Sequence, residues 1–379
     1  MDALNIDIDV RKTMKTLSTA EVEMISLARA LRNKSKLILM DEPTASLSYG
    51  EIEKLFKVMR QLQQQEVTII FITHKLEEVI TIANRVSVLR DGCLVHTDLV
   101  KNVNEEKLTA MMIGKTTKKV FPLRSLERSN VIFEVKNLGK KNEFSRLSFQ
   151  LHQGEIIGIG GLVGSGKEKI ARTIIEGNQD EGEIFIKGKK VTLHSPNEAR
   201  HYNIGYVPAD RHLYGLIKLL SIRENTFLST PLIQYGFIHV KRERELVSDY
   251  INLLNIKAWG ESQLVRDLSG GNQQKVLLAR LLASSGEIFI LEEPTRGVDV
   301  GAKSEIYQII QNFSQQDKAI LIISSETDEL LLLCHKILVM RECQVEGVFD
   351  HENASKDLII ETALGVRINH ELGEPITHG

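Results

Sequence analysis

Hydrophobic positions alternate along the chain between two kinds of stretch. Short, almost wholly apolar runs such as KLILM (36–40) and VTIIFI (67–72) are typical of strands buried on both faces of a parallel sheet. Between them lies a helical stretch, EIEKLFKVMRQL, whose apolar residues share one face: Ile52, Leu55, Phe56, Met59 and Leu62. Strands that alternate with helices predict an α/β fold, in which helices cover a parallel sheet.

The pattern occurs twice. LSTAEVEMISLARAL begins at Leu17 and matches LSGGNQQKVLLARLL, which begins 251 positions later at Leu268. The same offset, without a gap, relates LILMDEPT to IFILEEPT and VTIIFITH to KAILIISS, and it still holds at Gly114 and Gly365. Unrelated buried strands would not keep one offset over roughly a hundred positions, so we expect two copies of one domain.

The two copies differ in extent. The second begins near Val131 and its glycine-rich loop begins at Gly161, and the offset places the equivalents of both before Met1. We therefore expect the first copy to lack its opening strand, glycine-rich loop and crossover helix, as a truncated copy would. The predicted segments are the C-terminal half of a first domain (1–114), a polar linker (115–130), a second, complete domain (131–368) and a tail (369–379).

Composition excludes several classes of protein. With 48 Lys and Arg against 50 Asp and Glu, and no block of like charge, the chain has no footprint for nucleic acid. Its three cysteines show no metal-ligand spacing. The N-terminus lacks an apolar signal, and His335 and Lys336 interrupt the most apolar run. These features predict a cytoplasmic protein that does not cross the membrane.

The second copy opens with a candidate phosphate loop, in EIIGIGGLVGSGKEKIARTII (155–175). An apolar strand, glycines, a lysine and an amphipathic helix follow one another. Glycines let backbone N–H groups turn towards phosphate oxygens, and the lysine reaches the outer phosphates. A plain glycine turn would not require the lysine at this place. The predicted nucleotide-binding residues are Gly161, Leu162, Val163, Gly164, Ser165, Gly166, Lys167 and Glu168.

Glu168 departs from the phosphate-loop pattern, where a Ser or Thr hydroxyl normally ligates Mg²⁺. Two like charges at close range cost about 4 kcal/mol at an effective dielectric of about 20, unless a cation lies between them. The sequence leaves two alternatives open: the carboxylate binds magnesium directly, or it weakens nucleotide binding.

Paired carboxylates end a buried strand in IFILEEPTRGVD (288–299). The first carboxylate of such a pair holds magnesium and the second aligns the attacking water. This predicts Glu292 and Asp41 as metal ligands, and Glu293 and Glu42 as catalytic bases, in the two copies. Glu292 is one methylene longer than the usual Asp, which either remodels the metal site or abolishes it.

The LSGGNQQ stretch resembles the signature of ABC ATPases, and residues 17 to about 368 resemble the double-domain ATP-binding subunits of sugar importers, such as those for ribose, galactose, xylose and autoinducer-2. The resemblance implies a P-loop NTPase fold of ABC type, with ATP and Mg²⁺ as cofactors, and His74 as a catalytic switch histidine. The implied signature residues are Ser269, Gly270, Gly271, Asn272 and Gln273.

In that family two nucleotide-binding domains face head to tail, and each ATP lies between one phosphate loop and the other domain's signature. The intact signature would then serve a phosphate loop absent from this sequence, whereas the loop at Gly161 would face the altered signature STAEV (18–22). Against the family pattern, five departures argue for slow or absent hydrolysis: Glu168, Ala209, Glu292, Ser325 and STAEV.

The sequence thus predicts the ATP-binding motor subunit of a carbohydrate importer, peripheral on the cytoplasmic face of the cell membrane. Its implied partners are integral-membrane permease subunits, indirectly a periplasmic or extracellular sugar-binding protein, and a second copy of itself, with no nucleic acid. One alternative is a truncated or pseudo-ATPase product. Another is a soluble ABC protein of translation or DNA repair, for whose long inter-domain arm the 16-residue linker leaves no room.

Overall fold

The computed structural model describes residues 11–14, 17, 21–22, 25–26, 28–29, 35–44, 47, 49–73, 75–90, 93–113 and 130–366. The chain forms two compact units. The first comprises Met1–Lys118 with Asp299–Gly301, and the second comprises Lys119–Val298 with Ala302–Gly379. The predicted linker apart from Asn130, the tail at 369–379 and His74 lie outside the described residues.

Among its described residues, the first unit forms two short sheets and three α-helices with defined bounds. Its elements are β1 (Leu37–Asp41), α1 (Tyr49–Gln64), β2 (Thr68–Ile72), α2 (Leu76–Ile82), β3 (Arg85–Arg90), β4 (Cys93–Leu99) and α3 (Glu105–Ile113). β1 and β2 pair in parallel, and β3 and β4 form an antiparallel hairpin. The predicted amphipathic helix is α1, whose Leu55, Met59 and Leu62 are buried in one cluster with Ile38 and Met40 of β1.

The second unit is built on a six-stranded sheet and a four-stranded sheet. Its strands are β5 (Val131–Lys140), β6 (Phe144–His152), β7 (Ile156–Gly161), β8 (Glu181–Ile186), β9 (Lys189–Val191), β10 (Ile204–Val207), β11 (Ile233–Gln234), β12 (Phe237–Ile238), β13 (Ile288–Glu292), β14 (Ala319–Ile323), β15 (Lys336–Arg341) and β16 (Gln344–Asp350). Its helices are α4 (Ile170–Glu176), α5 (Pro196–His201), α6 (Ile222–Thr226), α7 (Val240–Leu253), α8 (Gly270–Ala283), α9 (Val300–Gln315), α10 (Thr327–Leu333) and α11 (Lys356–Leu364).

The larger sheet has the order β10-β13-β14-β7-β15-β16 and is parallel except for β16. Successive residues of β14 enter different cores. Ile320 and Ile322 lie in one cluster, with residues of α8 and α9, and Leu321 and Ile323 lie in another, with residues of α4 and the β6-β5-β8-β9 sheet. Both faces of the sheet are therefore covered, which explains why the strands are apolar throughout.

Every named strand and α-helix of the first unit begins and ends 251 positions before an element of the second, from β1 and β13 to α3 and α11. The local backbone also agrees, since Glu42 and Glu293 both have positive φ, at 45° and 43°. Burial differs between equivalent positions. Leu39 is 68% exposed, whereas Ile290 is 0% exposed.

The two units also differ in how their strands are joined. In the second unit β7 lies between β14 and β15 and joins them into one sheet. In the described part of the first unit no strand lies between β2 and β3, which belong to separate sheets. Across the described residues no helix combines the length and apolarity needed to span a membrane.

Matched truncations at the two equivalent positions test this difference. Ile290→Ala is expected to lower the free energy of unfolding of the second unit by about 2–5 kcal/mol, because the side chain is fully buried. Leu39→Ala should lower the free energy of unfolding of the first unit by less than about 1 kcal/mol, since the Leu39 side chain is mostly exposed to water. Urea unfolding followed by circular dichroism measures both, and the fluorescence of Trp259 reports separately on the second unit. An equal loss at both positions would contradict the difference in burial.

Candidate functional site

The phosphate loop runs from the end of β7 to a 3₁₀ turn at Lys167–Lys169, which precedes α4. Gly161 and Gly166 have φ of 141° and 95°. A Cβ at Gly161 would lie 2.4 Å from the Met340 carbonyl oxygen, and one at Gly166 would lie 2.5 Å from the Glu143 carbonyl oxygen. The backbone of β15 and the turn after β5 thus press against the loop, and only glycine fits at both positions.

Lys167 is buried, with 1% of its surface exposed. Its Nζ donates to the Leu162 carbonyl at 3.2 Å and to Glu168 Oε1 at 3.0 Å. The same Oε1 accepts from the Gly164 backbone N–H at 2.9 Å. The Glu168 side chain therefore turns back into the loop and binds two of the groups predicted to hold phosphate.

Electrostatics keep this carboxylate charged. Burial raises the pKa of Glu168, but the Lys167 ammonium and the backbone N–H groups lower it more, so the pKa lies below its usual range. The Ser165 hydroxyl is buried in the same loop and has no hydrogen-bond partner among the described residues. A charged cradle with an unsatisfied buried hydroxyl fits a phosphate group.

Glu292 ends β13, and one of its carboxylate oxygens is hydrogen-bonded within the protein. Its Oε2 accepts from the Tyr206 hydroxyl at 2.5 Å and, more weakly, from the Ala209 N–H at 3.4 Å. Burial raises the pKa of Glu292, and the charge of Glu293 raises it further. Burial and the Glu292 charge likewise raise the pKa of Tyr206. The pair forms a partly buried hydrogen bond that the sequence pattern does not predict.

Glu293 follows at the left-handed position after the strand. Its N–H donates to the Ile323 carbonyl at 2.7 Å, which fixes the turn to β14. Its Oε1 accepts from the Ser325 backbone N–H at 2.9 Å and from the Ser325 hydroxyl at 2.7 Å. Burial raises the pKa of Glu293, although Ser325 and the Lys167 charge oppose the shift. A carboxylate with a raised pKa is a stronger proton acceptor near neutral pH.

Each of the two candidate magnesium ligands of this site has one carboxylate oxygen engaged within the protein. Glu168 Oε1 binds Lys167, Glu292 Oε2 binds Tyr206, and Ala209 has no side-chain oxygen. In the part of the chain that the structure describes, no group of three or more His, Cys, Asp or Glu residues is placed to hold a metal ion.

The predicted signature residues form the start of α8. Ser269 is the N-cap, is exposed, and accepts from Asn272 Nδ2 at 2.9 Å. The Gln273 amide donates to the carbonyls of Val265 and Leu268, which fixes the preceding turn. Gly270 and Gly271 complete the first turn of the helix. Among the described residues no hydrogen bond links this helix start to the phosphate loop.

Arg211 connects the signature to the segment after the paired carboxylates. Its Nε donates to Gln273 Oε1 at 3.4 Å, and its Nη1 and Nη2 donate to the carbonyls of Arg296 and Gly297 at 2.7 and 3.2 Å. A Cβ on Gly270 would lie 2.9 Å from Arg211 Nη2, so glycine makes room for the guanidinium. The sequence pattern gives this arginine no role.

In the first unit, Asp41 ends β1 and Glu42 follows it; both are exposed. The Glu42 N–H donates to the Ile72 carbonyl at 2.8 Å, as Glu293 does to Ile323. The described residues of this unit contain no phosphate loop, and the structure gives no geometry for His74.

A buried carboxylate supports the loop after each pair. The Thr44 hydroxyl donates to Glu78 at 2.8 Å, and the Thr295 hydroxyl donates to Glu329 at 2.8 Å. Glu78 also lies 3.4 Å from the Lys75 ammonium. The position equivalent to Lys75 is Glu326, so Glu329 has no lysine there. Burial, aided by the charge of Glu326, raises the pKa of Glu329 to about 8.

Comparison with known proteins agrees with this arrangement. Residues 144–296 match the family model described as ABC transporter. The chain is 42% identical over 368 residues to a putative ribose/galactose/methyl galactoside import ATP-binding protein of Halalkalibacterium halodurans, covering 96% of this chain and 70% of the relative. It is 40% identical to the ribose import ATP-binding protein RbsA of Geobacillus kaustophilus, covering 96% of this chain and 74% of that protein.

Solved structures show the same fold. The ATP-binding cassette MJ0796, bound to ADP and Pi in a post-hydrolysis state, superposes with a TM-score of 0.51 at 22% identity, over 58% of this chain and 99% of that one. The ADP conformation of the cassette MJ1267 superposes with a TM-score of 0.52 at 22% identity, over 62% and 99% of the two chains.

The raised pKa of Glu329 gives a pH dependence of stability. Its folded-state pKa of about 8 lies above the ordinary value of 4.5, so the folded state holds the proton more tightly. Stability should therefore fall as pH rises from about 5 to about 8, by at most about 1.4 kcal/mol per pH unit. Glu329→Gln should flatten this dependence in urea unfolding at pH 5 to 8. The exposed Glu346→Gln is the control, and a slope unchanged in Glu329→Gln would contradict the assignment.

Proposed function

Because the chain belongs to the ABC transporter family, among its import ATP-binding proteins, we propose that it is the ATP-binding motor subunit of a carbohydrate importer. It couples nucleotide binding to the uptake of ribose or a related sugar through a membrane permease. The names of the relatives support the substrate class. The observation that carries the nucleotide part is the buried Lys167 ammonium within a glycine loop.

Nucleotide binding is assigned to the loop Gly161–Lys167. The Gly164 N–H and the Lys167 ammonium are the donors for phosphate oxygens, and the Ser165 hydroxyl supplies a further polar group. The helix α4 follows directly after the 3₁₀ turn that ends the loop. Glu168 is the member of the predicted set that opposes binding rather than assisting it.

Hydrolysis at this loop is proposed to be slow. Glu293 is the candidate base, since it is near the Lys167 charge and has a raised pKa. Its carboxylate, however, is held by Ser325, where the first copy has His74. Glu292 is bound to Tyr206, so the residue expected to take the metal is already engaged. This misfit favours a second candidate function, a unit that binds nucleotide and hydrolyses little of it.

The first unit is proposed to be the C-terminal half of another ABC domain. Element bounds 251 positions apart and the apolar face exposed at Leu39 and Ile72 support this. Asp41, Glu42 and His74 are then the metal ligand, base and switch residue of a second nucleotide site. By family likeness, Ser269–Gln273 contacts a nucleotide held by a different phosphate loop.

A motor subunit of an importer acts through other proteins, and these are its proposed partners. Integral-membrane permease subunits bind the chain at the cytoplasmic face of the membrane, and a sugar-binding protein outside the membrane delivers the substrate to the permease. Pairing of two copies would supply a second phosphate loop. Nucleic acid has no part in this function.

Uptake of radiolabelled ribose and galactose tests the proposal in cells whose gene for this chain is deleted. Uptake of at least one sugar should fall and return with the wild-type chain. Lys167→Ala should not restore it, because the phosphate loop loses its buried cation. Lys169→Ala, which changes a lysine of the same turn paired with Glu143 at 3.7 Å, should restore it. Unchanged uptake of every ribose-like sugar in the deletion strain would refute the proposed function.

A further inference from the structure

We propose that the Glu168 carboxylate is a built-in competitor of the nucleotide: it occupies the phosphate position of the loop when no nucleotide is bound and must leave before phosphate can enter. This regulation of the nucleotide site rests on the function proposed above. It also decides between the two alternatives that the sequence left open, in favour of weakened binding.

The contacts of the carboxylate are those of a phosphate oxygen. One oxygen, Oε1, accepts from the Gly164 N–H at 2.9 Å and from the Lys167 ammonium at 3.0 Å. A backbone N–H of a glycine loop and the loop lysine are the donors that such loops offer to phosphate. A phosphate oxygen at this position would take the same two donors, so the two anions compete for one position.

Charge balance explains why the carboxylate stays in the loop. The Lys167 ammonium is almost fully buried, and a buried charge is costly without a partner. Its other hydrogen-bond acceptor is the neutral carbonyl of Leu162. Glu293 acts on Lys167 through its charge, but its Oε1 is bound to Ser325. Glu168 is thus the carboxylate that neutralises the lysine through a direct hydrogen bond.

The neighbouring acidic groups are engaged elsewhere. Glu143 Oε1 lies 3.7 Å from the Lys169 ammonium. Glu176 accepts hydrogen bonds from Arg172 Nε at 2.7 Å and from Asn178 Nδ2 at 2.8 Å. Among the described residues, Glu168 is the carboxylate that hydrogen-bonds to the loop. Replacing Glu168 should therefore act on phosphate binding, whereas replacing a nearby carboxylate should not.

The test measures the affinity of the whole chain for ATP, ADP, pyrophosphate and adenosine by isothermal titration calorimetry, in buffer without divalent cations. Glu168→Gln and Glu168→Thr should bind ATP, ADP and pyrophosphate at least about tenfold more tightly than the wild type, because a charge-assisted competitor is lost. Adenosine, which carries no phosphate, should show no gain. Glu176→Gln is the control for net charge and should behave as the wild type.

Thermal unfolding gives an independent readout. Without nucleotide, Glu168→Gln should melt at a lower temperature than the wild type, because Lys167 loses its buried partner. Saturating ADP should close this gap, since phosphate then supplies the anion. A variant that simply misfolds would lose affinity as well as stability, and Glu168→Thr, with the hydroxyl usual at this position, guards against that outcome.

The outcomes separate the two proposals. If the wild type binds ADP clearly and both Glu168 variants bind it equally or more weakly, Glu168 does not compete with the nucleotide. The proposed function is unaffected by that result. If no variant binds ATP, ADP or pyrophosphate, the competitor and the nucleotide part of the proposed function both fail.

Discussion

A positive charge buried in a loop of backbone N–H groups is the constraint on which this site depends. Lys167 reaches its position because the loop has glycines at both ends. The Met340 carbonyl leaves no room for a Cβ at Gly161, and the Glu143 carbonyl leaves none at Gly166. Once the ammonium is buried, an anion must accompany it. In most phosphate loops the nucleotide supplies that anion. Here the chain supplies its own at the next residue, Glu168.

Other acidic residues of the candidate site are also paired within the protein. The two carboxylates at the end of β13 are both hydrogen-bonded within the protein: Glu292 to Tyr206, and Glu293 to Ser325. A site whose polar groups are paired internally is stable without ligand, but its groups must exchange partners when the ligand binds. Such a site suits a unit that senses nucleotide more than one that turns it over rapidly.

The two units contain the same order of strands and helices but bury equivalent strands to different extents. Equivalent strands occur in both, yet Leu39 is exposed where Ile290 is buried. The difference arises because β7, α4 and the antiparallel sheet of the second unit have no counterpart among the described residues of the first. Local sequence thus determines the strands and helices, whereas burial depends on what packs against them.

Local patterns in the sequence predict much of the fold and part of the site. Apolar periodicity predicts β1, β2 and α1, the offset of 251 relates the elements of the two units, and glycine spacing predicts the loop around Lys167. The position of the Glu168 carboxylate depends on a rotamer that brings Oε1 to Gly164, which no pattern encodes. The Tyr206–Glu292 hydrogen bond and the contacts of Arg211 join residues more than sixty positions apart, and only the folded chain brings them together.

A crystal structure of the whole chain with ADP tests the role of Glu168 most directly. We expect the phosphates between the Gly164 N–H and the Lys167 ammonium, with the Glu168 side chain rotated out of the loop. ADP bound at this loop with the Lys167–Glu168 ion pair intact, or ADP bound elsewhere, would contradict it.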